Sequence, residues 1–167
     1  VSYPQSSIVK YTFAARGKKP AVDLYWYDGG LMPARPEELE PGRLLGGGDG
    51  GVLFIGSKGK LMCGTYGENP RLIPEKKMNE FERPEKTIPR SPGIALEWIE
   101  AAKSGKKSTT DFSYSGPLTE CMLLGNLAIR LKEKNTILHW DHANMKVTNL
   151  AEANQLLHFE YRQGWEL

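Results

Sequence analysis

Cysteine is nearly absent from this chain: there are two in 167 residues, Cys63 and Cys121, far apart and with no CxxC spacing. That excludes a disulfide framework and leaves no thiolate set at the ligand spacing of a structural zinc site. Both are expected as buried free thiols. Histidine is almost as scarce, at three. No apolar run approaches the ~20 residues a helix needs to cross a bilayer, so no membrane span is expected. Charge of one sign is missing too: 22 Lys and Arg stand against 20 Asp and Glu. No basic run is interleaved with aromatics, so the footprint of a nucleic-acid binder is lacking. What the chain does have is glycine (18) and proline (11), with 10% aromatics. Its length suits a single domain that buries roughly two-thirds of its unfolded surface.

The stretch 51–74, GVLFIGSKGKLMCGTYGENPRLIP, is the centre of the pattern. Four apolar residues, a turn at Gly56-Ser57-Lys58-Gly59 and a return through Leu61, Met62 and Cys63 read as a β-hairpin. Ahead of it, residues 6–15 alternate Ile8, Lys10, Thr12 against Val9, Tyr11, Phe13, the period of a half-buried strand. A Gly/Pro-marked turn leads to a second strand over 21–27, with Val22, Leu24 and Trp26 on one face and Asp23, Tyr25 and Tyr27 on the other. These two strands form an antiparallel pair. Residues 28–51 change to glycine, proline and charge and read as a long exposed loop with a short turn at 36–39.

Helices follow. Residues 75–82 suit a short one, and 83–92, interrupted by proline, an extended segment. In 92–104, Ile94, Trp98, Ile99 and Ala102 fall near helical spacing, with Pro92 at the start and Gly105 at the C-terminus. A further helix is expected over 116–132, entered through Ser115-Gly116-Pro117, with Glu120 in the first turn. Residues 136–140 read as a strand, 141–144 as a turn and 145–147 as its return. Asn149 and Glu152 have the spacing of a capping box that opens a last helix through Phe159. Strands first and helices later give an α+β class.

Three motifs carry possible chemistry. Gly46, Gly48 and Gly51 satisfy GxGxxG, yet a proline-rich loop precedes them and an apolar strand follows. A dinucleotide site needs a strand before and a helix N-terminus after, so the ordinary reading, a glycine-rich connection, prevails. His139, Asp141 and His142 sit on a strand and turn where residues three apart face opposite ways, and no third distant ligand is evident; turn residues are the ordinary reading. Tyr25, Trp26, Tyr27 and Asp28, running into Gly29-Gly30, are the best small-molecule candidate. Aromatic faces stack on sugar rings and carboxylates take hydroxyls. The ordinary alternative packs Trp26 in the core and leaves the tyrosines facing water or a partner. No complete nucleophile-base set or phosphate loop stands out.

The runs YPQSSIVKYTFAARG, VDLYWYDGGLMPARPEEL, GVLFIGSKGKLMCGTYGENPRLIP, SGPLTECMLLGNLAIRL, WDHANMKVTNLAEAN and EYRQGW together resemble the C-terminal domain of Gfo/Idh/MocA oxidoreductases, in the bacterial-type subgroup. The resemblance implies an open, mostly antiparallel β-sheet with helices on one face, walling a substrate pocket and supplying a homodimer contact through the open face. It implies an NAD or NADP cofactor for a longer parent chain whose N-terminal Rossmann domain and catalytic EKP-type and Asp/His motifs precede the part seen here. It therefore assigns no catalytic, cofactor-binding or metal residue to this chain. It also implies a sugar, polyol or glycoside as substrate, and either a cytoplasmic or an exported location according to an upstream signal. Tyr27, Asp28, Tyr66, Asn69 and Arg71 are the candidate pocket residues, chosen on chemistry and placement. The competing readings are a free-standing carbohydrate-binding or scaffolding module, and a small enzyme built on the aromatic strand.

Overall fold

A computed structural model describes residues 3–165. The class is α+β, and every strand pair is antiparallel. The strands do not form one open sheet: among the described residues they make separate sheets of two, three and two strands. The chain divides into two compact units, one from Val1–Met32 with Ser91–Leu167 and the other Pro33–Arg90.

In the first unit, β1 (Ile8–Phe13) pairs with β2 (Val22–Tyr27), with Val9 opposite Trp26 and Tyr11 opposite Leu24. The expected alternation holds. The outer face carries the ion pair Lys10–Asp23 at 2.9 Å, a Thr12–Asp23 hydrogen bond at 2.8 Å and the Lys10 ammonium 5.3 Å from the Tyr25 ring centre. The other face meets helix α3 (Phe112–Arg130). The ladder ends because Gly29 and Gly30 both adopt positive φ, which turns the chain away after Asp28.

Helix α3 runs Phe112–Arg130, starting before the Ser-Gly-Pro entry that proline suggested. Its N-cap is Asp111, whose carboxylate accepts from the Ser113 N–H at 2.7 Å and the Ser113 hydroxyl at 2.5 Å. Pro117 is therefore inside the helix, and Glu120 lies beyond its first turn. Leu127 packs with Val147 and Ala153 as the centre of this unit's core, ringed by Leu124, Leu131, Leu138, Trp140, Leu150 and Leu156. Gly125 is buried, and the Tyr11 hydroxyl reaches so close that a Cβ there would lie 2.3 Å from it. The small residue thus lets β1 and α3 approach.

Helix α2 (Ile94–Ser104) ends at Gly105 in the left-handed conformation, as its sequence suggested. None of its residues is buried, and Ile94 and Trp98 are exposed.

The strand expected over 136–140 shrinks to β6 (Trp140–Asp141), paired with β7 (Lys146–Val147). Side chains replace the rest of the ladder. Asn149 accepts from the His139 N–H at 2.8 Å and donates to the Ile137 carbonyl at 2.7 Å. Asn154 does the same for Val147, accepting from its N–H at 2.8 Å and donating to its carbonyl at 2.9 Å. With Asn149 committed upstream, no capping box forms, and the last helix is a 3-10 segment, Ala151–Leu156, without a side-chain cap.

The second unit is built on β3 (Val52–Gly56), β4 (Gly59–Cys63) and β5 (Arg71–Ile73), followed by helix α1 (Glu75–Glu80). The central hairpin is as expected, with Gly56 opposite Gly59, and β5 adds a third strand along β4. The stretch 33–50 is irregular but not a free loop. Leu39 is buried with Met62 and Ile73, and Leu45 and Leu53 pack against them. Arg35 donates to the carbonyls of Arg43 at 2.7 Å and Glu40 at 2.6 Å, closing the chain on itself. Glu40 accepts from the Glu75 N–H, while Glu75 pairs with Arg71 and, at 2.8 Å, with Arg43. Buried leucine and a guanidinium that satisfies carbonyls order a segment whose composition argues only for turns. Cys63 is a buried free thiol, whereas Cys121 is half-buried.

Candidate functional site

The register of the β1–β2 hairpin brings Ser7 opposite Asp28. The Asp28 N–H donates to the Ser7 carbonyl at 3.1 Å. The Asp28 carboxylate accepts from the Ser7 N–H at 2.6 Å and from its hydroxyl at 2.9 Å. This fixes the carboxylate at the end of the face that carries Val9, Tyr11 and Trp26. On α3, Met122, Asn126 and Ile129 fall at i, i+4 and i+7 and present one stripe to that face. Between hairpin and helix runs a groove of about 260 Å³, lined by these side chains.

Its walls are apolar, with a few polar groups. Trp26 is half-exposed, so its indole is available in the groove and not sequestered in a core. Asn126 is half-buried and its carboxamide makes no hydrogen bond among the described residues. Asp28 is the one ionised side chain of the lining. An apolar trough with a free carboxamide, a fixed carboxylate and an indole matches the make-up of small-molecule sites.

The sequence candidates fall in different places. Asp28 lies in the groove, but Tyr27, one residue earlier on an extended strand, faces the other way, its ring 6.5 Å from that of Tyr25. Tyr66, Asn69 and Arg71 belong to the second unit. There Tyr66 is 91% exposed and its N–H donates to Glu68 at 2.8 Å. Asn69 serves the backbone, with φ of 49°. The Arg71 guanidinium is engaged by Glu75. Trp26 belonged to the aromatic motif of β2 but not to the five candidate pocket residues, and Asn126 and Met122 are among the groove residues that sequence reasoning did not select for a site. The alternation of β2 carried the signal for Trp26, since it places Trp26 and Asp28 on one face. The pairing of that face with α3 is a tertiary fact with no local signature.

A second polar cluster ties the β6–β7 hairpin to α3. The Trp140 indole N–H donates to Glu120 Oε1 at 2.5 Å, and His142 Nδ1 lies 2.8 and 2.9 Å from the two Glu120 oxygens. Burial pushes the Glu120 carboxyl upward, but the bonds from His142 and Trp140 outweigh it and hold the group below the ordinary glutamate range. A carboxyl with a depressed folded value contributes stability above its unfolded value, and that contribution fades as pH falls through the folded value. Glu120→Gln is therefore expected to cost about 1–3 kcal/mol at neutral pH. It should also remove part of the loss of stability on acidification, as urea midpoints between neutral and acidic pH will show. Among the described residues no three His, Cys, Asp or Glu side chains are placed to hold a metal ion.

Comparison with protein-family models and with curated proteins gave no match. The glycine triplet leads into β3, so no helix N-terminus meets it. The groove has neither lysine nor arginine to face a pyrophosphate and holds a carboxylate in its place. The residues of the groove and of the glycine triplet do not fit a dinucleotide.

Proposed function

We propose that this chain is the substrate-pocket and oligomerisation domain of an NAD(P)-dependent oxidoreductase acting on a sugar, polyol or glycoside. The observation that carries the reading is the groove between β1–β2 and α3. An indole, a carboxylate and an unpaired carboxamide around an apolar floor are suited to a hydroxylated ring and unsuited to a nucleotide. The resemblance of the sequence to the Gfo/Idh/MocA C-terminal domain supports the same division of labour, in which another domain holds the NAD or NADP. Exposed apolar side chains also fit a domain made to be covered: Ile94 and Trp98 on α2 and Phe112 at the start of α3. The outer face of the β1–β2 hairpin, with Ile8 and Tyr25 exposed, is the proposed homodimer contact.

Titration of NADH and NADPH into this chain by calorimetry tests the proposal. No specific heat is expected, and micromolar binding to the chain alone would overturn it. The second reading, a free-standing carbohydrate-binding module, draws on the same groove and on the Tyr25–Tyr27 pair. It predicts sugar binding with no dependence on a nucleotide domain.

A further inference from the structure

The charge of the groove is one-sided. Asp28 is its one ionised side chain and has no ion-pair partner among the described residues. On the hairpin, Lys10 is on the opposite face and spends its charge on Asp23 at 2.9 Å. Ser7 orients the carboxylate with two hydrogen bonds, leaving part of its capacity of about four acceptor sites open. Beside it stands the half-exposed Trp26 ring, whose face attracts a cation as readily as it stacks on a sugar. A half-buried carboxylate without a cation, next to an open indole, is complementary to an ammonium group.

Resting on the reading of the groove as a sugar pocket, we infer that the sugar it takes carries a protonated amine. The ammonium pairs with Asp28 and lies against Trp26, while Asn126 takes hydroxyls of the ring. A carboxylated sugar meets Asp28 as a like charge and is rejected. A neutral sugar retains the stacking and loses the ion pair.

Three probes of similar shape test this, glucosamine, glucose and glucuronate, titrated at mildly acidic pH with the Trp26 indole and Asn126 carboxamide followed by NMR. Glucosamine is expected to bind about fivefold more tightly than glucose, the scale of a partly exposed ion pair, with glucuronate the weakest. Asp28→Asn should bring glucosamine to the level of glucose. Because Asp28 also supports Ser7, Trp26→Leu provides an independent variant, expected to weaken glucosamine and glucose together. Glucose binding as tightly as glucosamine overturns the amine while leaving the sugar pocket standing. Groove signals that none of the three sugars moves overturn both, and so does glucosamine binding that Trp26→Leu leaves unchanged.

Discussion

Gly29→Ala is expected to destabilise the protein by about 2–4 kcal/mol and to loosen the groove at the same time. Gly29 has φ of +62°, and a Cβ on it would lie 2.2 Å from the Gln5 carbonyl oxygen and 2.5 Å from the Ser6 Cα. Those are backbone atoms of the bend that leads through Ser7 into β1, so the clash cannot be relieved by rotating a side chain. Relief requires residues 5–7 to move, and with them the Ser7 donors to the Asp28 carboxylate. Gly30 separates the two causes. It has φ of +85° with nothing near its Cβ position. Gly30→Ala should therefore show conformational strain alone, about 1 kcal/mol. Urea midpoints of the two variants check the difference. Equal losses would mean that close approach to residues 5–6 contributes nothing.

The second large effect is in the core of the first unit. Leu127→Ala should cost about 2–5 kcal/mol, the range for a buried leucine whose cavity does not collapse. Leu127 is 5% exposed and packs with Val147, at 3%, and Ala153, which is fully buried. Those two come from β7 and the following 3-10 segment, which are held by Asn154 and not by an extended ladder, so their place on α3 rests on this packing and on the bonds of Trp140 and His142 to Glu120. Against a total stability of about 5–15 kcal/mol the loss is large. Leu123, exposed on the same helix, is the control, and its replacement by alanine should stay within about 0.5 kcal/mol. Chemical denaturation of both variants measures the contrast.

How much of this was readable in advance follows the range of the forces involved. The β1–β2 and β3–β4 hairpins were legible because period-2 alternation and glycine turns are local signals. The end of α2 at Gly105 was legible for the same reason. The start of α3 was misplaced because Ser115-Gly116-Pro117 reads as an entry, whereas the Asp111 cap lies just upstream. The stretch 33–50 looked free because composition does not reveal that Leu39 is buried or that Arg35 gathers carbonyls. The β6 strand and the last helix were overextended because Asn149 and Asn154 bond to backbone that a ladder and a cap would otherwise use. In the candidate groove, Asp28 is the residue that sequence chemistry also selected. Tyr27 was chosen over Trp26 although strand alternation placed Trp26 with Asp28, and Asn126 needed the docking of α3 to become visible.

The groove beside Trp26 is proposed as a substrate pocket of an oxidoreductase. The direct measurement is reduction of NAD or NADP across a panel of sugars and polyols by the protein expressed from its complete reading frame, compared with its Trp26→Leu variant. Turnover by the parent, with kcat/KM lowered about tenfold or more by Trp26→Leu through KM, is the predicted result. Turnover that Trp26→Leu leaves unchanged, or no reduction of either nucleotide with any member of the panel, would contradict it.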